Sequence, residues 1–216
     1  MEVSVEKLAE LKAEAALNSL LAQAMNYPSA ELAESLHAGQ FAAALRWSLA
    51  VLGDASLQSE IDSCAEEYRK KNSAEAILLD LERDYTRMFF SSKPRIAYLF
   101  ESVYREGKLL PESTIEIAGL YRDAGLTLSE DFRLPPDHIA VELEFFSFLL
   151  FKEIEGIEKK DKEVVDYAKE LQDLVVNQHI KLFALHLAER VAGHAHTTFY
   201  RTVAQILQRY YSNRGV

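Results

Sequence analysis

Apolar residues recur at steps of three and four through most of this chain. Leu8, Leu11, Ala15, Leu20, Leu21 and Ala24 predict a first amphipathic helix that ends near Tyr27-Pro28. Pro28 stops it, and proline's tolerance at a first helical position lets it start a second helix through Ala30-Glu31-Leu32. Phe41 to Val51, with Trp47, predicts a mostly apolar helix closed by Gly53-Asp54. Ile61 to Lys70 is polar on most sides and predicts a surface helix. Ser73 suits the N-cap of the next one. There Ile77, Leu78, Leu81, Tyr85, Met88 and Phe89 form an inward stripe, while Asp80, Arg83, Asp84 and Arg87 face water. That helix is expected to end before Ser91-Ser92-Lys93-Pro94, because the residue preceding a proline avoids helical backbone angles.

The middle is less regular. Glu101-Ser102-Val103-Tyr104 reads as a small polar and aromatic loop between helices, a kind of segment that often lines binding sites. A helix from about Glu112 to Ala124 ends at Gly125, a left-handed cap. Positions 125–136 lack a helical period and read as a hinge. From Ile139 to Phe151 only Glu142, Glu144 and Ser147 are not apolar, and this predicts a buried helix opening at Asp137. Lys152 to Lys162 reads as a charged connector. Asp161 to Leu187 predicts a helix in one or two pieces, and His196 to Tyr210 predicts the last. The expected fold is all-α, one domain over 1–216. It is a bundle of about ten helices in two packed halves, 1–124 and 137–216, joined by the hinge.

Composition narrows the function. Hydrophobic residues make up 49%, enough for a core and too many for a disordered chain. Eight Gly and five Pro leave little material for the turns of an all-β fold. The net charge of −10, with no Lys/Arg cluster, argues against nucleic acid and favours a basic peptide partner. The single cysteine, Cys64, excludes an intrachain disulfide and a cysteine-based zinc cluster, and it reads as an inert helical thiol. The stretch Met1 to Glu6 is acidic and carries no secretory signal, and 139–151 is too short to span a bilayer. A cytoplasmic protein with no direct membrane insertion is expected.

Candidate chemistry centres on Pro135-Pro136-Asp137-His138. Asp137 at a helix start is either a cap or part of a site. His138 and Glu142 are four apart and share one helix face. Glu142 lies in so apolar a segment that its charge needs a partner, either His138 or an arginine from another helix. A metal enzyme built on His138, Glu142 and a further histidine such as His186 is the alternative. Di-iron bundles, however, use a Glu-x-x-His on each of two helices, whereas this pair is single and in reverse order. No phosphate loop and no nucleophile elbow occurs.

Several of these pieces, in order, resemble the TorD-like cytoplasmic chaperones, or redox enzyme maturation proteins. Tyr85-Thr86-Arg87-Met88-Phe89-Phe90 is similar to that family's Tyr-x-x-Leu-Phe helix end, and Glu101-Ser102-Val103-Tyr104 to its Pro/Glu-Ser-x-Tyr segment. Gly125-Leu126 ends a helix as in its members. Pro135-Pro136-Asp137-His138-Ile139, followed by Glu142-Leu143-Glu144-Phe145-Phe146, resembles its Glu-Pro-x-Asp-His signature and the helix after it. Phe183 to Leu187 and Phe199-Tyr200 match its later helices. Leu134 stands where the signature has glutamate, with Glu130 and Asp131 just upstream, and Glu189-Arg190 stands where a tryptophan is common.

The resemblance implies an all-helical protein that is not an enzyme and has no cofactor or metal of its own. Its implied partner is the catalytic subunit of a molybdoenzyme, held during cofactor insertion, together with that subunit's twin-arginine leader peptide. Asp137 and His138, with Glu101, Ser102, Tyr104 and Pro136, are then expected to line the client groove, and Glu142 to support its wall from behind. Asp137 is expected to accept from a leader arginine through a charge-assisted hydrogen bond. The hinge also makes a domain-swapped homodimer geometrically available.

Overall fold

The computed structural model describes residues 4–91, 93, 95–109, 112–126 and 134–214, and most of these are helical. The order begins with α1 (Val5–Met25), α2 (Ala30–His37), α3 (Gln40–Val51), α4 (Gln58–Arg69) and α5 (Ala74–Thr86). α5 continues through a π-helical turn, Arg87–Ser91. Next come α6 (Glu101–Glu106) and α7 (Glu112–Asp123). Then follow α8 (Ile139–Lys159), α9 (Lys162–Val175), a second π-helical turn (Val176–Ile180), α10 (Lys181–His194) and α11 (Thr198–Asn213). The bundle is all-α as expected. Among the described residues an isolated antiparallel bridge, Phe100 with His138, is the one β pairing.

Local chemistry sets most helix ends. Ser4, Ser29, Ser73, Asp161 and Thr197 each present a side-chain oxygen to an unpaired N–H at a helix start. Each such cap is worth about 1 kcal/mol. Ser29, rather than Pro28, opens α2, because its hydroxyl accepts from Leu32 N (3.2 Å) and a proline ring offers no such acceptor. Gly53 and Gly125 adopt the left-handed conformation after α3 and α7 (φ 73° and 82°), which for Gly125 is the cap the sequence predicts.

Three expectations change. Residues Glu101 to Tyr104 are not a loop but the first turns of α6. The charged stretch from Lys152 is not a connector: α8 runs through it to Lys159. Glu155 holds it helical by pairing with Lys152 (3.0 Å) and Lys159 (2.5 Å) one turn away on either side. Asp84 does not face water but is buried. Its Oδ2 accepts from His196 N (2.9 Å), Thr197 N (2.8 Å) and Thr197 Oγ1 (2.9 Å), which ties α5 to the start of α11. The π-helical turn carries the helix through Ser91, one residue past the expected end, while Pro94, Glu130, Asp131 and most of the hinge lie outside the described residues.

α1 and α8 form the centre. Both are buried on more than one face, with Leu11, Ala13, Ala15, Leu17 and Leu21 interior on α1 and Leu143, Phe145, Phe146, Leu149 and Leu150 interior on α8. They pack along each other, and Ser147 Oγ donates to Ala15 O (2.9 Å) across the contact. α9 lies on α8, α10 on α11, α4 on α11 and α6 on α10. Helices from before and after position 125 therefore share one core.

Candidate functional site

The segments 99–101 and 137–139 run antiparallel for a few residues. Glu101 N donates to Asp137 O (2.9 Å) and Ile139 N to Leu99 O (2.8 Å). This joint brings the first turns of α6 and α8 together. The positive ends of two helix dipoles meet there, and three acids collect around them: Glu101 in the first turn of α6, Glu142 in the first turn of α8, and Asp137 between.

Each acid has a distinct role. Asp137, which reads from the sequence as either a cap or part of a site, lies one residue before the N-cap of α8. Its Oδ2 accepts instead from Ser102 N (3.2 Å), so it caps α6 from across the joint. His138 is the N-cap of α8, with Nδ1 accepting from Ala140 N (3.1 Å). Burial pushes its pKa down to about 4 against the opposing pull of Asp137, so the ring is neutral near pH 7 and its proton sits on Nε2. The Glu101 carboxylate accepts from Arg105 Nη1 (2.8 Å) and pairs with His179 Nδ1 (3.0 Å), which arrives from the second π-helical turn.

Glu142 is fully buried, and among the described residues neither of its oxygens has a hydrogen-bond partner. It does not bond His138, whose Nδ1 is committed to the helix start. Burial, then the charges of Glu101 and Asp137, raise its pKa well above the usual carboxyl range, with Arg105 opposing. Burial and the neighbouring acids thus favour the protonated form of Glu142 at the bottom of the cluster.

Five of the residues singled out in the sequence thus converge: Glu101, Ser102, Asp137, His138 and Glu142. All five are interior, so in this conformation none lines an open groove. Pro136 is half-buried above them, and its carbonyl accepts from Tyr121 Oη (2.7 Å). Tyr104 is half-buried too but belongs to the α10 side, between Phe183 and His186 (ring centroids 6.0 and 6.3 Å). The metal alternative does not assemble: among the described residues no group of three or more His, Cys, Asp and Glu is placed to hold an ion. His186 is engaged elsewhere, with Tyr104 and with Leu182 O (2.9 Å). Cys64 is a buried thiol whose pKa burial pushes up to about 11, too high for a nucleophile. No described helix is long and apolar enough to cross a membrane.

Sequence reasoning missed His179, the partner of Glu101. A signal for it was present. Leu171, Val175, His179, Phe183, Leu187 and Val191 recur at steps of four, and each such step drifts about 40° around a regular helix. A π-helical turn absorbs part of that drift and keeps all six inward, although Leu171 and Val191 lie on opposite sides of the turn.

The family model for the nitrate reductase delta subunit matches residues 12–189, a span that holds the whole cluster. The chaperone protein TorD of Vibrio parahaemolyticus is 28% identical over 166 residues, covering 76% of each chain. The chaperone protein TorD of a Vibrio cholerae O1 El Tor strain is 26% identical over 165 residues, 74% of this chain and 72% of its own. A crystal structure of an Archaeoglobus fulgidus protein, assigned to redox enzyme maturation, superposes with a TM-score of 0.56. At 19% identity it covers 99% of this chain and 97% of its own, which establishes a shared fold.

Proposed function

The chain belongs to the nitrate reductase delta subunit family, and from that membership we propose that it is a system-specific cytoplasmic chaperone for one molybdoenzyme. It is a maturation chaperone and not an enzyme. Its client is the catalytic subunit, bound while the molybdopterin cofactor is inserted and before export or membrane assembly. It also binds the client's twin-arginine leader. The carrying observation is the match over 12–189, which contains the joint between α6 and α8.

The net charge of −10 supports a basic segment as ligand. Asp137, His138, Glu101, Ser102 and Glu142 serve client binding from the interior by fixing the start of α6 on α8. Tyr104 and Pro136, the two half-exposed members, are the ones the client touches. Exposed Leu182, on α10 near the Tyr104–His186 stack, adds apolar surface for it. An exchange of helices between two copies would give a swapped dimer.

Affinity capture of the tagged protein from its native cytoplasm, with partners identified by mass spectrometry, tests the function. A molybdoenzyme catalytic subunit carrying its uncleaved leader is the expected catch. Titration of the cognate leader then tests the site. Asp137→Ala and His138→Ala, each checked for native helicity, are expected to bind it more weakly. Wild-type affinity in both would reduce these residues to a structural role.

A further inference from the structure

A second built cluster joins the end of α11, past residue 189 where the family match stops, to Glu14 and Asn18 of α1 and Phe146 of α8. Arg214 follows the last turn of that helix, and its guanidinium lies 4.5 Å from the Phe146 ring centroid. Nη1 donates to Tyr210 Oη (2.7 Å) and is in direct contact with Glu14 Oε1. Tyr210 Oη donates in turn to Glu14 Oε1 (2.5 Å) and accepts from Asn18 Nδ2 (3.2 Å). Asn18 Oδ1 accepts from Tyr211 Oη (2.7 Å). A buried aromatic face, a mostly buried carboxylate and an oriented hydroxyl thus converge on one planar cation. That set fits an arginine head far better than a lysine, because the flat fork stacks and hydrogen-bonds at once.

A groove of about 350 Å³ opens beside this point, with Leu49 and Leu52 along it and the Arg209–Asp54 pair (3.0 Å) on its wall. Arg214 is held by side-chain contacts and by Lys181 Nζ on its carbonyl (2.7 Å). It is the extended C-cap of α11, outside the helical ladder, so its release breaks those contacts and leaves Tyr210 in the helix.

We propose that Glu14, Tyr210 and Phe146 form an arginine-binding site that Arg214 fills from within. An arginine followed by an apolar stretch in the client competes for that site by displacing Arg214, its apolar part meeting half-buried Leu52 in the groove. The identity of the competitor rests on the chaperone function above, whereas the receptor itself does not.

Arg214→Ala is expected to melt at a lower temperature than wild type and to be restored by millimolar methylguanidinium. Methylammonium should restore it less, and neither should move wild type. Adding Glu14→Gln to that variant should abolish the restoration. Failure to restore, or equal restoration by methylammonium, overturns the receptor. Arg214→Lys, which keeps the charge without the fork, supplies the same readout if the alanine variant does not fold. The second arm uses a synthetic peptide with an Arg-Arg pair before an alanine–leucine stretch, and its Lys-Lys counterpart. Arg214→Ala should bind the arginine peptide about tenfold more tightly than wild type, the gain from removing a competitor that holds the site about nine-tenths of the time. If wild type binds and Arg214→Ala shows no gain, the competition is overturned and the chaperone function stands. If neither binds, leader recognition falls and the competition with it, while the methylguanidinium result still decides the receptor.

Discussion

His138 and Glu142 stand one turn apart at the start of α8, and burial drives their protonation in opposite directions. The unfolded histidine takes up a proton below about its ordinary 6.5, whereas the folded one holds out to about 4. Its contribution is therefore fully present above pH 6.5 and is lost as pH falls toward 4, about 3 kcal/mol in all. Glu142 has the reverse sign. Its folded pKa is raised, so its contribution is present below 4.5 and is lost as pH rises. Urea unfolding across this range should show Glu142→Gln more stable than wild type at neutral pH, with the gap widening as pH climbs. A less stable glutamine variant would mean that the fold needs the ionised carboxylate. His138→Asn, which keeps a capping oxygen, should flatten the acid limb. Asp84→Asn should lose about 2–3 kcal/mol, because one buried carboxylate oxygen collects three hydrogen bonds at the start of α11.

Between elements, Gly156 decides how closely α9 approaches α8. A Cβ there would lie 2.9 Å from Val165 Cγ2 and 3.1 Å from Val165 N, and the backbone atom cannot turn away. Gly156→Ala should therefore destabilise the protein by about 1–3 kcal/mol. In an unpacked helix the same change would stabilise by about 1 kcal/mol, so the sign measured by thermal melting separates packing from propensity. The second π-helical turn acts at the same scale. It turns α9 into α10 without a break and directs His179 at Glu101, so α10 is registered against α6 by a polar pair as well as by packing. His179→Leu should leave Glu101 with Arg105 alone, and faster amide hydrogen exchange over 101–106 is the expected readout.

Over the whole molecule the central pairing of α1 with α8 joins segments from both sides of position 125. A protein of net charge −10 should bind a basic leader more weakly as salt is added, because screening shortens the reach of its field. An affinity independent of ionic strength would point to apolar contact alone. The sequence by itself determined the helices and most of their ends. Three- and four-residue periods, serine and aspartate caps and left-handed glycines act within one or two turns and so are written locally. It also singled out Glu101, Ser102, Asp137, His138 and Glu142, which the fold brings into one cluster. What each of them does was decided by tertiary structure. Asp137 caps a helix 35 residues away in the chain, His179 meets Glu101 across 78, and Asp84 serves α11 across more than 100. Such partners follow from how α6, α8, α10 and α11 pack, and a local period carries no information about which distant helix will supply the other half of a hydrogen bond.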